Sequence, residues 1–360
     1  MNVKAATKAY ETFLHEKVPV VEADLELKHK QMSAAVFPFL RSTFYRFSAL
    51  FREVCADLAQ GPQLLAVGDL HVENFGTWRD SEGRLIWGIN DVDEAQTMPY
   101  SIDLVRLGAS ALLAAEEAKL AIPPEELCTA ISAGYGEWLE KGGRPFVLEE
   151  EHGWLRVLAT GALRDPEAFA AKMGKLADTA PPKPVADLLD RHLPKGSVLK
   201  RHAARTAGLG SLGRPRYVAL GDFCGGQVVR EAKAMLPSAW NWSAGDAKAP
   251  IRCGEIVAKG VRCADPCLDF INDKDNLGGW VIRRLAPHCC RVELAELPFR
   301  KDELKLLRAM GRETANLHLG SPEAVKAVRE DLAKRPAKWL FHAATAMADA
   351  TRADWNAWRA

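Results

Sequence analysis

One short stretch carries most of the chemistry legible in this chain. Val67-Gly-Asp-Leu-His-Val-Glu-Asn-Phe-Gly76 sets Asp69 and Asn74 five residues apart, directly after the apolar run 64–67. A second apolar run, 85–89, ends in Asn90-Asp-Val-Asp93. Phosphoryl transfer from ATP asks for such groups: one Asp to orient the attacking hydroxyl, and an Asn and a further Asp to hold magnesium. On that reading Asp69 is the catalytic carboxylate, and Asn74, Asp91 and Asp93 are the metal ligands. Asp91 is favoured as the main ligand because it directly follows the apolar run. Clustered carboxylates repel unless a cation or hydrogen-bond donors compensate, which a purely structural pair would have to explain. His71 lies between Asp69 and Asn74. It serves either as a hydrogen bond that shapes the loop or in substrate and proton-transfer duty.

The spacing also implies the element that positions these groups. Thr77 and Trp78 end a short strand, Asp80-Ser-Glu-Gly83 has turn composition, and 85–89 is the return strand. Such a hairpin brings Asn74 and Asp91 to the same end of a sheet.

The stretch resembles the Gly-Asp-Leu-His-x-x-Asn catalytic loop of aminoglycoside and choline kinases. More closely, the chain resembles DUF2252, a bacterial family of unknown function grouped with the protein-kinase-like fold. The resemblance rests on 68–76, on Asn90-Asp-Val-Asp-Glu-Ala95, on Asp103-Leu-Val-Arg-Leu107, on Gly208-Leu-Gly-Ser-Leu-Gly213 and on Arg230-Glu-Ala-Lys233. It implies an α+β, protein-kinase-like fold with a small β-rich nucleotide lobe and a larger helical catalytic lobe.

The glycine run Gly208, Gly210, Ser211, Gly213 has two standard readings. A dinucleotide-binding turn needs an apolar strand before it and a helix after it. Here a basic segment precedes it, and Pro215 and a strand follow. A kinase-type loop joins two antiparallel strands and covers the ATP phosphates, and a strand ending in lysine follows, as in Val-Ala-Ile-Lys. Lys233 then neutralises the phosphates, and Glu255, on the next predicted helix, is the candidate partner of Lys233. Arg41, in the Phe/Arg-rich segment 29–52, is read either as a solvated arginine on a core helix or as a phosphate or substrate contact. Arg46 ranks below it. Arg283 and Arg284 share a strand on which one must face outward, and their roles stay open.

The order of these parts departs from ordinary kinases, which place the glycine loop before the catalytic loop. Here the catalytic loop comes first, so the fold is expected to be circularly permuted. Chain ends that meet at the surface make this acceptable. The residues expected in the motif also differ: Val67 replaces the His of His-Arg-Asp, Gly68 replaces its Arg, and Asp93 replaces the glycine of Asp-Phe-Gly.

The expected organisation is a mostly helical lobe over 1–200, a β-rich nucleotide lobe over 201–290, and C-terminal helices over 291–360 that return to the helical lobe. Residues 1–60 read as helical with a break at Pro38. Helices are also expected at 101–120 (capped by Ser101 or Asp103, the latter read either as a cap or as a bond back to the catalytic loop), 123–141, 251–262, 302–319 and 336–359. The segment 150–195 reads as helical and broken by Pro181-Pro-Lys-Pro184.

With 360 residues, 48% of them apolar and 26% charged, the chain suits an ordinary globular core. A net charge of +1 gives no reason to expect nucleic acid, and no apolar run suits a membrane span. The N-terminus has no signal-peptide core, so the expected location is the cytoplasm. Eight cysteines include Cys263, Cys267, Cys289 and Cys290, whose spacing is not a clean zinc pattern, so they read as ordinary thiols. The leading expectation is an ATP- and magnesium-dependent phosphotransferase acting on a small-molecule or protein hydroxyl. Three rivals are transfer of AMP from the same site, a non-catalytic nucleotide-binding module, and a metal-dependent hydrolase or glycosyltransferase using His71, Asp91 and Asp93. Glu73, Glu94 and Asp103 are candidate walls of an acceptor pocket.

Overall fold

Apolar spacing decides where the helices lie, and β-branched alternation decides where the strands lie. The computed structural model describes residues 1–149, 152–160, 165–274, 278–289 and 302–360. The N-terminal third begins with α1 (Val3–Lys17), α2 (Glu22–Ala34), α3 (Val36–Ser42), α4 (Phe44–Val54) and the short α5 (Ala56–Ala59). The break expected at Pro38 falls at Ala35 instead, between α2 and α3. Pro38 is the third residue of α3, within the first turn, where no intrahelical donor is lost.

Next come β1 (Gln63–Ala66), β2 (Phe75–Arg79), β3 (Leu85–Ile89) and β4 (Gln96–Pro99). β2 and β3 form the expected antiparallel hairpin, with Phe75 opposite Ile89. β1 pairs with β4, which brings the two ends of the segment together below the hairpin. α6 (Ser101–Glu117) follows, then α7 (Pro124–Lys141), β5 (Phe146–Val147), which extends the hairpin sheet, and α8 (Gly153–Thr160). Neither Ser101 nor Asp103 caps α6. Ser101 donates to the Leu58 carbonyl, and Asp103 turns to the loop after β1.

α9 (Pro166–Gly174) and α10 (Lys183–His192) lead into a five-stranded antiparallel sheet. Its strands are β6 (Val198–Ala204), β7 (Arg216–Phe223), β8 (Gly226–Met235), β9 (Asp269–Asn272) and β10 (Gly279–Leu285), in the order β6-β7-β8-β10-β9. α11 (Ala239–Ser243) and α12 (Cys253–Lys259) lie between β8 and β9. β6 has no apolar strand signal because it is an edge strand carrying Lys200, Arg201 and His202, a composition that blunts an open sheet edge. Alternation on the inner strands is strict. Ala219, Ala232 and Ile282 pack under Val185, Leu188 and Leu189 of α10. Val218, Leu220 and Val229 point the other way and meet Met173 of α9.

The chain closes with α13 (Asp302–His318), α14 (Pro322–Lys334) and α15 (Trp339–Arg359). Together these elements make an α+β fold with antiparallel sheets. α6 is its most enclosed helix, with residues 101–113 buried under α15 and α7. Among the described residues, no helix is long and apolar enough to cross a membrane.

α13 lies against α7 at very short range. A Cβ on Gly134 would collide with the Arg308 carbonyl, and one on Gly311 with the Ile131 carbonyl. Gly134→Ala should therefore force the two helices apart and cost about 1–3 kcal/mol of stability, read as a lower urea midpoint. An unchanged midpoint would show that the contact relaxes freely.

Candidate functional site

The loop between β1 and β2 is shaped from below by α6 and α13. Asp103 of α6 accepts both the Val67 and Gly68 amides, each at 2.7 Å. His318, at the end of α13, bonds the same carboxylate through Nε2 at 2.9 Å, and its Nδ1 meets the Tyr135 hydroxyl at 2.9 Å. All three side chains are buried. Asp103 thus bonds back to the loop and does not border the pocket above it, so the expectation of an acceptor wall at Asp103 is corrected. One turn along α6, Arg106 donates its Nε to Asp69 Oδ1 at 2.8 Å and its Nη2 to the Leu40 carbonyl at 2.9 Å. Its guanidinium lies over the Phe44 and Phe47 rings. The ion pair uses Oδ1, and Asp69 Oδ2 faces Gly210. Arg106 has no role that its immediate neighbours in sequence reveal. Its signal was an i, i+3 pair with Asp103 on one helix face.

The hairpin places the amide and the acid as expected. Asn74 Nδ2 donates to the Asp91 carbonyl at 2.8 Å, and its Oδ1 accepts the Asp91 amide at 2.9 Å. The same Nδ2 also reaches the Asp69 carbonyl. His71 Nδ1 accepts the Glu73 amide at 3.2 Å, a bond that shapes the loop. Lys233, on β8, sends its buried ammonium to Asp91 Oδ1 at 3.0 Å and to Asp93 Oδ2. Burial raises the Asp91 pKa, but Lys233 and then Arg283 and Arg216 outweigh it and hold this carboxyl below the usual range. Asp93 is pushed up, first by burial and then by the charge on Asp91. Lys233 thus serves both acids, Arg214 stands 3.5 Å from Asp93, and a divalent cation would relieve the repulsion that remains. The oxygens on offer are two carboxylates and the Asn74 carbonyl, which has a lone pair beyond the one Asp91 uses; hard oxygen donors of this kind suit magnesium. Among the described residues, no three His, Cys, Asp or Glu side chains form a metal-binding group. Cys267 and Cys289 are free thiols, and Cys290 lies outside the described residues.

Glu255 does not partner Lys233. It bonds Arg252 at 2.6 Å and Lys259 at 2.7 Å, three residues before it and four after it on its own short helix. Those local cations are nearer than the strand lysine, which the aspartates already hold.

The glycine run joins β6 to β7, and α2 fastens it. The Val21 amide bonds the Gly213 carbonyl, Thr206 bonds Asp24, and Lys28 reaches the Gly210 carbonyl at 3.4 Å. Gly210 must be glycine because an added Cβ would stand 2.9 Å from the Arg41 carbonyl and 3.2 Å from Asp69 Oδ2. Gly208, Gly210 and Ser211 border the pocket over Asp69, while Gly213 is spent on packing against Leu25. Arg41 borders this pocket too and pairs with Glu73 at 2.6 Å, whereas Arg46 is turned away to Asp354. Glu94 borders it beside Arg214.

Two cavities meet here. The smaller, about 50 Å³, is bordered by Asp69, His71, Asn74 and the glycine run. The larger, about 620 Å³, is bordered by Lys233, Arg205, Arg283 and Trp78. Asp91, Asp93 and Gly208 border both. Alternation predicts one outward arginine at 283–284, yet both border the larger cavity. They sit at the strand end, where Arg284 reaches Asp265 and the Arg79 carbonyl.

Compared with known families, the chain matches DUF2252, described as an uncharacterised protein conserved in bacteria, over residues 20–150 and 190–360. No curated protein and no solved structure matches it.

Lys28 yields a pH test. Burial is the main cause that lowers its pKa from 10.5 to about 8. Between those values the unfolded chain holds a proton that the folded chain does not, so wild-type stability should rise with pH across that window and be lowest below it. Lys28→Met should be more stable than wild type at pH 7, by an amount on the order of 3 kcal/mol. That gain should vanish by about pH 10.5, as read by denaturant titration. A gain that is the same at every pH would contradict this.

Proposed function

The chain belongs to the DUF2252 family, and we propose that it is an ATP- and magnesium-dependent phosphotransferase of a kinase-like, circularly permuted fold. The observation that carries this reading is the meeting of the two cavities at Asp91, Asp93 and Gly208. A cavity of about 620 Å³ is the size of a small-molecule site, and it adjoins a far smaller one that holds Asp69. Such a division suits a nucleotide on one side, a single acceptor hydroxyl on the other, and metal ligands at the boundary.

Further support comes from the sheet. The glycine run connects its first two strands in chain order, and the lysine stands on the third, the arrangement of kinase phosphate recognition. The segment after β3, which precedes that sheet in sequence, faces it in space through the ion pairs of Asp91 and Asp93 with Lys233. α13 ends at His318 beneath the loop, although more than 200 residues separate them in sequence. Such convergence supports the permuted order, because catalysis depends on position in space and not on chain order.

The geometry supports the following roles. Asp69 accepts the acceptor proton at Oδ2, while Arg106 fixes the carboxylate plane through Oδ1. Asn74, Asp91 and Asp93 would hold magnesium, which supplies charge neutralisation at the phosphates. Lys233 adds a fixed positive charge, and the glycine run excludes water above Asp69. Most of the rate gain then comes from positioning and preorganised charge.

Asp69→Asn keeps the shape but cannot take the proton. It should abolish transfer from γ-labelled ATP while leaving ATP affinity within about twofold of wild type. Turnover equal to wild type would remove Asp69 from the mechanism.

A further inference from the structure

On strand β8 the residue two before Lys233 faces the same side of the sheet as Lys233, because side chains alternate. In Val-Ala-Ile-Lys that position is alanine. Here it is Glu231, fully buried. Arg283 stands directly opposite it on β10, and Arg216 stands opposite Lys233 on β7. Three guanidiniums converge on this one carboxylate. Arg283 reaches it at 2.7 Å, Arg216 at 3.0 Å, and Arg205, from the start of the glycine run, also bonds it. Beside this face, Met173 of α9 covers the apolar patch of Val218, Leu220 and Val229.

The charges do not close. On this face four cations, Lys233, Arg205, Arg216 and Arg283, meet three carboxylates, Asp91, Asp93 and Glu231. Arg214 also approaches Asp93 at 3.5 Å, and its charge is offset by Glu94 at 3.2 Å, so the excess of one stands. A magnesium ion on the two aspartates would raise the excess to three positive charges. Uncompensated buried charge is costly, and the missing partner is an anion. One donor is already orphaned: the buried Arg216 Nε has no partner among the described residues. Arg205 and Arg283 both border the larger cavity, so the excess is presented to a ligand.

We propose that the Glu231–arginine cluster is an oxyanion subsite that takes part of the polyphosphate chain of a nucleotide, at the place where a kinase sheet is apolar. Glu231 acts as a positioning residue. It fixes three planar forks in advance, so little ordering remains when phosphate arrives. The ligand is then gripped mainly by its phosphates, and its nucleoside contributes less. The inference deepens the nucleotide reading and rests on it.

Isothermal titration of the whole chain with magnesium tripolyphosphate, magnesium ATP and adenosine tests it. Tripolyphosphate should bind within roughly tenfold of ATP, and adenosine should bind at least a hundredfold more weakly. Arg205→Ala, at a half-buried position where two arginines remain on Glu231, should weaken both phosphate ligands about tenfold or more while keeping the wild-type melting temperature. ATP binding without tripolyphosphate binding, or wild-type affinities in folded Arg205→Ala, would overturn the subsite and leave the nucleotide reading standing. Tripolyphosphate binding with ATP rejected would keep the subsite and overturn the nucleotide reading. The wild-type titrations decide the matter even if the variant fails to fold.

Discussion

Lys233 is a buried ammonium held between Asp91 and Asp93, and through it the five-stranded sheet is fastened to the β2–β3 hairpin. The two halves of the site come from distant parts of the chain, and this contact sets their separation. Removing one partner of a buried charge pair typically costs about 3–5 kcal/mol, so the contact is a constraint as well as an attraction. Asp91, Asp93 and Glu94 share two cations, Lys233 and Arg214, which leaves the hairpin side short of positive charge. The sheet side, around Glu231, has the opposite imbalance. A magnesium-bound polyphosphate would correct both at once.

A second constraint works from below. α6 is buried along most of its length and contributes two charged side chains to the loop. Asp103 fixes the backbone at Val67 and Gly68, and Arg106 fixes the Asp69 side chain. Charged groups so deep in a core are tolerated because each is met by hydrogen bonds. From above, α2 presses the glycine run toward Asp69, through Lys28 and Val21. The Asp69 carboxylate is thus held from below and from above, and the opening beside it is small.

Local geometry was legible in the sequence, and long-range pairing was not. The hairpin at 75–89 followed from strand alternation and turn residues, and with it the meeting of Asn74 and Asp91. The lysine of β8 and the glycine run followed from pattern as well. The partner of Lys233 did not. Glu255 was the natural candidate by helix position, but Arg252 and Lys259 lie beside it on the same helix and hold it there. Arg106 and Glu231 escaped notice because a charged residue inside an apolar helix or strand reads as solvated until its buried partners are known. β6 escaped notice because an edge strand has no need of an apolar pattern. His318 shows the same limit: its bond to Asp103 spans 215 residues, and nothing in its neighbours announces it.

The most direct measurement is a thermal shift with ATP, with and without magnesium, on wild type and on Asp91→Ala. A ligand that binds the folded state alone raises the melting temperature according to its affinity and concentration. The account predicts a rise of several degrees at millimolar ATP that needs magnesium and is lost in folded Asp91→Ala. Folded wild-type protein whose melting temperature ignores magnesium and ATP would contradict it.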